Sequence, residues 1–167
     1  MTAGDSAAGG GGRGAVGSGI VGVGVDAVSV ERFRQVLERR PRVAARCFTE
    51  GEQSDAGRSA DRAQSLAARF AAKEAVMKAL GSGIGAFALT DVEVRRTGGK
   101  DATRNAPYVV LSGTAAERAG AQGAVRFHLS LTHTDDVAIA FVVAEQAAAV
   151  ATADGASAAG SAPCVPS

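Results

Sequence analysis

The stretch "SLAARFAAKEAVMKALG" (65–81) predicts the central element of the fold, a long helix. At about 100° per residue, Leu66, Phe70, Met77 and Leu80 fall within about 80° of one another and define a buried stripe. The remaining surface is almost wholly alanine, which is small enough to let another chain segment or a ligand approach closely.

The same helix carries three charged side chains beside its apolar stripe. Lys73 falls inside the stripe, whereas Glu74 and Lys78 lie one turn apart just beyond its edge. A Glu–Lys pair at this spacing is most often a solvated surface pair that contributes a few tenths of a kcal/mol. The apolar flanks weaken that interpretation here and favour a functional one.

Upstream of this helix, the sequence predicts one strand and two shorter helices. The run "IVGVGV" (20–25) has the β-branched character of a buried strand and is predicted to stop at Asp26. "SVERFRQVLERR" (29–40) has Ser29 at the N-cap and apolar residues at helical spacing. "TEGE" (49–52) is a capping box, which marks the start of a short helix.

After the long helix, predicted over about residues 60–80, the apolar period changes from that of a helix to that of a strand. A short helix and four strand-like segments follow, and they occupy 115–123 and 91–97, 107–113, 125–132 and 137–144. The connection 133–136 has hairpin length, so the last two strands are antiparallel. The sequence therefore predicts an α+β fold, a mainly antiparallel sheet with one long helix and shorter helices.

Composition predicts one domain over residues 20–146 of the 167-residue chain. The flanking segments, 1–19 and 147–167, are rich in Gly, Ala and Ser and are predicted to be flexible tails. A formal net charge of +1 argues against a general nucleic-acid or membrane binder. Two cysteines cannot build a disulfide framework, and neither a membrane span nor a secretory signal is recognisable, so we expect a cytoplasmic protein.

Asp26 is the candidate for chemistry outside the long helix. A carboxylate at the end of a buried strand is where such folds place functional groups, although the simpler interpretation is a cap for the next turn. Asp26 and Glu74 together would suit Mg²⁺, which takes one or two protein oxygens and fills its octahedron with water and substrate phosphate. Lys78 would then steady or protonate a leaving phosphate.

Two further features suit a phosphate-bearing ligand. The glycines of "GSGIG" (81–85) let a ligand meet backbone N–H groups, although a helix cap and turn explains them equally well. His133 opens the hairpin after a strand that carries Ser130 and Thr132 on one face. A histidine in a turn is more often structural, but beside hydroxyl groups it also suits a phosphate.

The first helix and the segment after it are rich in arginine. Six arginines stand against two glutamates, and they are Arg32, Arg34, Arg39, Arg40, Arg42 and Arg46. The usual explanation is a solvated helix face. The alternative is a docking strip for an acidic protein, since arginines supply steering and bidentate contacts to carboxylates.

Five segments, occurring in this order, carry a family resemblance. They are "GVGVDAVSVERF" (22–33), "FTEGE" (48–52), "LAARFAAKEAVMKALGSGIG" (66–85), "DVEV" (91–94) and "LSLTHTDDVAIAFVVAE" (129–145). Together they resemble the holo-(acyl carrier protein) synthases, the small AcpS-type group of 4′-phosphopantetheinyl transferases. The resemblance spans nearly the whole predicted domain.

The resemblance implies the 4′-phosphopantetheinyl transferase fold and its reaction. The family moves the 4′-phosphopantetheine arm of coenzyme A onto a serine of apo-acyl carrier protein and releases adenosine 3′,5′-bisphosphate, with Mg²⁺ at the CoA pyrophosphate. It also implies a homotrimer whose active sites lie between neighbouring subunits. The expected partners are CoA and an acidic acyl carrier protein, not nucleic acid or membrane.

The resemblance also implies roles for individual residues. By position, the metal ligands are Asp26 and Glu74, and the catalytic residues are Glu74 and Lys78. The CoA site would be lined by Arg69, Lys73, Gly81, Gly83, Ser130, Thr132 and His133. The Arg-rich first helix matches the docking site of the carrier protein, through Arg32, Arg34, Arg39 and Arg40.

The chain departs from the family pattern in its two tails, in the longer connection "GGKDATRNAP" (98–107), and at Ala27, which replaces a bulkier aliphatic residue. The sequence leaves open whether the carrier belongs to fatty-acid or polyketide synthesis. It also leaves open which group activates the acceptor serine, Glu74, Asp135 or a metal-bound water. The rival functions are a non-catalytic module that binds an acidic partner and a CoA-binding regulator.

Overall fold

The computed structural model describes residues 19–83, 85–97 and 106–146. The predicted tails, apart from Gly19, and most of the connection 98–107 lie outside these residues. The predictions made for those segments therefore stay predictions.

Two antiparallel sheets and five α-helices make up the described part of the chain. In chain order the elements are β1 (Ile20–Ser29), α1 (Val30–Arg39), α2 (Arg42–Cys47), α3 (Glu50–Gly57), α4 (Arg62–Ala79), a 3-10 helix (Leu89–Asp91), β2 (Val92–Arg96), β3 (Pro107–Leu111), α5 (Gly113–Ala121), β4 (Ala124–His133) and β5 (Val137–Gln146). One sheet has the strand order β1-β5-β4, and the other pairs β2 with β3. The predicted α+β architecture is confirmed.

Local side-chain signals set the ends of the helices. The Ser29 hydroxyl caps α1, accepting a hydrogen bond from the backbone N–H three residues later at 3.4 Å. In the capping box of α3, Thr49 Oγ1 accepts from the Glu52 backbone N–H at 3.2 Å, and Glu52 Oε2 accepts from the Thr49 N–H at 3.0 Å. Asp61 caps α4, and Gly81 follows that helix with a φ of 58°. Ser, Thr and Asp favour the N-cap position, and Gly favours the left-handed position that follows a helix.

β1 is longer than the sequence predicted. The prediction ended this strand at Asp26, but pairing with β5 continues from Asp26 opposite Ala140 to Ser29 opposite Val137. Because β5 supplies hydrogen-bonding partners along this extension, the strand continues past the apolar run. Asp26 therefore lies inside the strand, and strand alternation decides where its side chain points.

β1 and α4 meet backbone to backbone. Gly22 and Gly24 lie on the inner face of the three-stranded sheet, against α4. A Cβ atom at Gly24 would lie 1.8 Å from the carbonyl oxygen of Ala75, and one at Gly22 would lie 1.9 Å from that of Ala79. Only glycine fits at both positions. The alanine surface of α4 thus packs against β1, a strand of the same chain.

The opposite, outer face of this sheet is apolar and exposed. Val23 and Val25 of β1 are 50% and 53% exposed, and Ile139 and Phe141 of β5 are 38% and 45% exposed. In the register of the two strands, Val25 lies opposite Phe141. We call these four side chains the outer patch. Apolar side chains grouped in this way mark an interaction surface.

The side of α4 away from the sheet packs against α1 to α3. Phe33 of α1 packs edge-on against Phe48, with ring centroids 6.2 Å apart, and lies 5.3 Å from Phe70 of α4. Leu66 and Ala67 of α4 are fully buried in the same cluster. α4 is therefore covered on two sides, as its apolar stripe and alanine surface require. In the described part of the chain, no helix combines the length and apolar character needed to cross a membrane.

Substituting Gly24→Ala tests the contact between β1 and α4. The added methyl group would sit 1.8 Å from the Ala75 carbonyl oxygen, so the two elements must separate. We expect the free energy of unfolding, measured by urea denaturation, to fall by at least about 2 kcal/mol. Gly57→Ala is the matched control, because nothing lies within 4 Å of its Cβ position, and we expect a change within about 1 kcal/mol. Equal stability of the two variants would contradict the contact.

Candidate active site

The Asp26 side chain points towards α4 because side chains alternate between the two faces of β1. Gly22, Gly24 and Asp26 occupy successive inner-face positions of β1, so the Asp26 side chain follows directly after the close contact with the helix. There Lys78 Nζ donates to Asp26 Oδ1 at 2.8 Å and to the Val25 carbonyl oxygen at 2.8 Å. The Asp26 side chain is only 19% exposed, whereas that of Lys78 is 52% exposed.

Glu74 lies in the same groove as Asp26. The two residues line one groove of about 420 Å³ between β1, α1 and α4. Burial raises the pKa of the Glu74 carboxyl group, the nearby Asp26 carboxylate raises it further, and Lys78 opposes the shift. The structure thus brings together Asp26, Glu74 and Lys78, the residues expected from the sequence to act as metal ligands and catalytic groups.

The rest of the groove is largely apolar. Phe33 and Val36 of α1 and Phe70 of α4 line it, and the exposed Arg32 lies at its edge. Helical spacing identifies which apolar residues share a face of α1, but it does not identify what that face meets. The sequence analysis therefore missed that these residues border the carboxylates.

The donor set fits a magnesium ion. Within residues 19–83, 85–97 and 106–146, no group of three or more His, Cys, Asp or Glu side chains is placed to hold a metal. Mg²⁺ is commonly bound by one or two carboxylates, with water and substrate phosphate as its other ligands. Asp26 and Glu74 supply two such carboxylates in one groove, and Asp26 already attracts a cationic group.

Lys73 does not lie in this groove. Its side chain is fully buried, and Nζ donates to Glu52 Oε2 at 2.8 Å, to the Leu89 carbonyl oxygen at 2.9 Å and to that of Val92. The expected place of Lys73 in the CoA site is not supported, because all three ammonium protons have protein acceptors. Burial lowers the pKa of Lys73, and the Glu52 carboxylate opposes that shift. The lysine inside the apolar stripe is part of the core.

Glu52 serves both the capping box and this buried ion pair. While Oε2 accepts from Thr49 and Lys73, Oε1 accepts the backbone N–H of Val94 at 2.9 Å. The carboxylate therefore joins α3, α4 and β2. The sequence analysis recognised Glu52 only as a cap, since a capping box is local whereas Lys73 lies 21 positions later.

Arg69 lies on the side of α4 that faces α3. Its guanidinium donates to the Ser65 carbonyl oxygen at 3.1 Å and to Ser65 Oγ at 2.6 Å, and it lies 4.0 Å from Asp55 Oδ2. Only 6% of Arg69 is exposed, and among the described residues its Nε has no hydrogen-bond partner. Burial lowers the pKa of Arg69, and Glu52 and Asp55 oppose that shift. Arg69 is therefore separated from Lys78, which faces β1.

The residues of β4 that were assigned to the CoA site lie away from Asp26. Ser130 and Thr132 are opposite Phe141 and Ile139 of β5, on the outer face of the sheet, whereas Asp26 is on the inner face. His133 is exposed at the end of β4. Within one chain, these hydroxyl groups and the carboxylate groove therefore lie on opposite faces of the sheet.

The glycines after α4 are also exposed. Gly81 adopts the left-handed conformation of a helix cap, and its N–H donates to the Lys78 carbonyl oxygen at 3.0 Å. Gly83 has open space around its Cβ position. The cap interpretation of Gly81 is therefore satisfied by the structure.

The four arginines assigned to carrier docking have different surroundings. Arg32 and Arg39 are exposed on α1, and Arg40 is exposed at the C-cap of that helix. Arg34 instead binds Asp61, with Nη2 at 2.8 Å from Oδ2, and this pairing lowers the pKa of Asp61. Arg34 thereby ties α1 to the N-terminus of α4. An aspartate directly before a helical run is a recognisable N-cap signal, but its arginine partner was not predicted.

Comparisons with known proteins agree with the resemblance. A family model described as the 4′-phosphopantetheinyl transferase superfamily matches residues 22–142. The chain is 46% identical over 117 residues to the holo-(acyl-carrier-protein) synthase of Salinispora arenicola, which covers 70% of this chain and 91% of that protein. It is 48% identical over 120 residues to the Micrococcus luteus protein of the same name, covering 72% of this chain and 87% of the relative.

Solved structures of such synthases share the fold. That of the Neisseria meningitidis enzyme matches with a TM-score of 0.65 and 33% identity, over 76% of this chain and 99% of that one. The Bacillus anthracis enzyme, crystallised in complex with CoA (3′,5′-ADP), matches with a TM-score of 0.60 and 32% identity, over 77% and 98% of the two chains.

Substituting Lys73→Met tests the buried ion pair. The change leaves the Glu52 carboxylate buried without its cation, and we expect the free energy of unfolding to fall by about 3–5 kcal/mol. Adding Glu52→Gln removes the unpaired charge while an amide oxygen still accepts from Val94, so the double variant should recover at least about 1 kcal/mol. Denaturant unfolding measures both effects. A double variant no more stable than Lys73→Met would contradict the pairing.

Proposed function

The chain belongs to the 4′-phosphopantetheinyl transferase superfamily, and we propose that it transfers the 4′-phosphopantetheine group of CoA to a serine of an apo-acyl carrier protein. The reaction is Mg²⁺-dependent and releases adenosine 3′,5′-bisphosphate. The observation that supports it is that Asp26 and Glu74 line one groove and that Lys78 is bonded to Asp26 there. The names of the relatives, holo-(acyl-carrier-protein) synthases, agree with it.

Each of the three residues has a distinct task in this reaction. Asp26 and Glu74 would hold Mg²⁺, which when bound neutralises pyrophosphate charge as the P–O bond breaks. The serine oxygen forms the new bond to phosphorus, and Lys78 stabilises the phosphate that leaves with the adenosine. Of the side chains considered as the base, Glu74 lies in the groove and is therefore placed to accept the serine proton, whereas Asp135 is exposed in the turn after β4.

The carrier protein would dock on α1. Arg32 lines the groove, and Arg39 and Arg40 are exposed at the C-terminal end of the same helix. These cations suit an acidic partner. Exposed arginines speed association with such a partner, and each guanidinium can bind a carboxylate through two parallel hydrogen bonds. Arg34 is left out of this docking surface, since Asp61 already occupies its guanidinium.

A homotrimer would complete the CoA site. Ser130 and Thr132 share the outer face of the sheet with the outer patch, away from the carboxylate groove of their own chain. Burying the outer patch against a neighbouring subunit removes apolar surface from water and brings that subunit's hydroxyl groups near this chain's groove. The active sites therefore lie between subunits.

Mass spectrometry of the carrier protein tests the proposed reaction. The protein is incubated with CoA, Mg²⁺ and several purified apo-carrier proteins, and we expect a gain of one phosphopantetheine group. Asp26→Asn and Glu74→Gln should each lower the rate by about 10²-fold or more, since each removes a charge that stabilises the transition state. Glu117→Gln, on the exposed surface of α5, should leave the rate unchanged. No mass gain with any carrier would exclude the transferase.

Light scattering coupled to size-exclusion chromatography tests the trimer. Phe141→Asp places a charge in the centre of the outer patch, and we expect it to shift the protein from trimer to monomer. Tyr108→Asp is the control, because Tyr108 is also a large exposed side chain but lies on β3, in the other sheet. It should leave the trimer intact. An unsubstituted protein that runs as a monomer would contradict this assembly.

A further inference from the structure

The bond between Lys78 and Asp26 joins two residues to which the proposed function gives different partners. Asp26 is to bind the metal, and Lys78 is to bind the transferring phosphate. In the structure, however, Lys78 Nζ lies 2.8 Å from Asp26 Oδ1 and 2.8 Å from the Val25 carbonyl oxygen. Two of the three ammonium protons of Lys78 thus have acceptors in the described part of the chain, and both acceptors lie at the site proposed for the cation.

The ammonium group and a divalent cation would compete for the same carboxylate. Mg²⁺ binds carboxylate oxygen at about 2.0–2.1 Å, and an ammonium group at hydrogen-bond distance from that carboxylate would repel it strongly. The side chain of Lys78 is half exposed, so it can leave without disturbing the core. The Asp26 side chain is mostly buried and extends from a paired strand, so the carboxylate stays in place.

We propose that Lys78 and a divalent cation are alternative occupants of the Asp26 carboxylate. Without the cation, Lys78 neutralises Asp26 and keeps it directed at α4, beside Glu74. With the cation, Lys78 is displaced from Asp26 and becomes free to bind the substrate phosphate. This inference rests on the proposed function and makes the availability of Lys78 depend on occupancy of the metal site.

Cation binding in the absence of CoA and carrier tests the competition. The affinity for Mn²⁺ is measured by paramagnetic resonance of the free ion for the unsubstituted protein and for Lys78→Gln. Removing the competing ammonium group should tighten binding by about tenfold or more. Arg32→Gln is the matched control, because it removes a cation at the same groove that has no bond to Asp26, and it should tighten binding by less than about threefold.

A second measurement follows the lysine itself. The ¹⁵N resonance of the Lys78 side chain, assigned by its loss in Lys78→Gln, should move towards that of a free lysine on addition of Mg²⁺. The resonance of the buried Lys73 should stay in place, because its acceptors are unchanged.

The outcomes separate this inference from the proposed function. Lys78→Gln binding Mn²⁺ no more tightly than Arg32→Gln, a Lys78 resonance that does not move at saturating Mg²⁺, or no cation binding by any variant would each overturn the inference. A protein that still modifies the carrier under those results retains its proposed function. Loss of carrier modification is scored separately, in the assay with CoA and apo-carrier.

Discussion

The close contact between β1 and α4 is the constraint on which the rest of the structure depends. Gly22 and Gly24 have no side chains, so the strand lies directly on the Ala75 and Ala79 carbonyl groups of the helix. Two residues further along the same face comes Asp26, and its carboxylate meets Lys78. The carboxylate groove exists because the strand and the helix approach this closely.

Local patterns were sufficient for much of the fold. The capping box at Thr49, the N-cap at Ser29 and the left-handed Gly81 were predicted from sequence, because each depends on neighbours a few residues away. The hairpin of the last two strands and the single long helix follow from connection length and apolar period in the same way. The order of the five family motifs then indicated which charged residues converge.

Tertiary pairing accounts for what the sequence did not predict. β1 runs beyond its apolar residues because β5 provides partners, which no pattern within β1 indicates. Lys73 lies among the same kinds of residue as Glu74 and Lys78, yet it points in a different direction from α4 and is buried against Glu52. A helical wheel separates these directions, but it does not identify which is covered by protein and which borders a groove.

The shared role of Glu52 limits which sequences this fold accepts. By local rules, glutamate and glutamine are interchangeable at the third position of a capping box. Here glutamine alone would leave the Lys73 ammonium buried without a counter-charge, so a substitution that is silent in an isolated helix is harmful in this domain. The residue at position 52 in the short helix α3 is therefore constrained by Lys73 in the next helix, α4. A change at either position requires a matching change at the other.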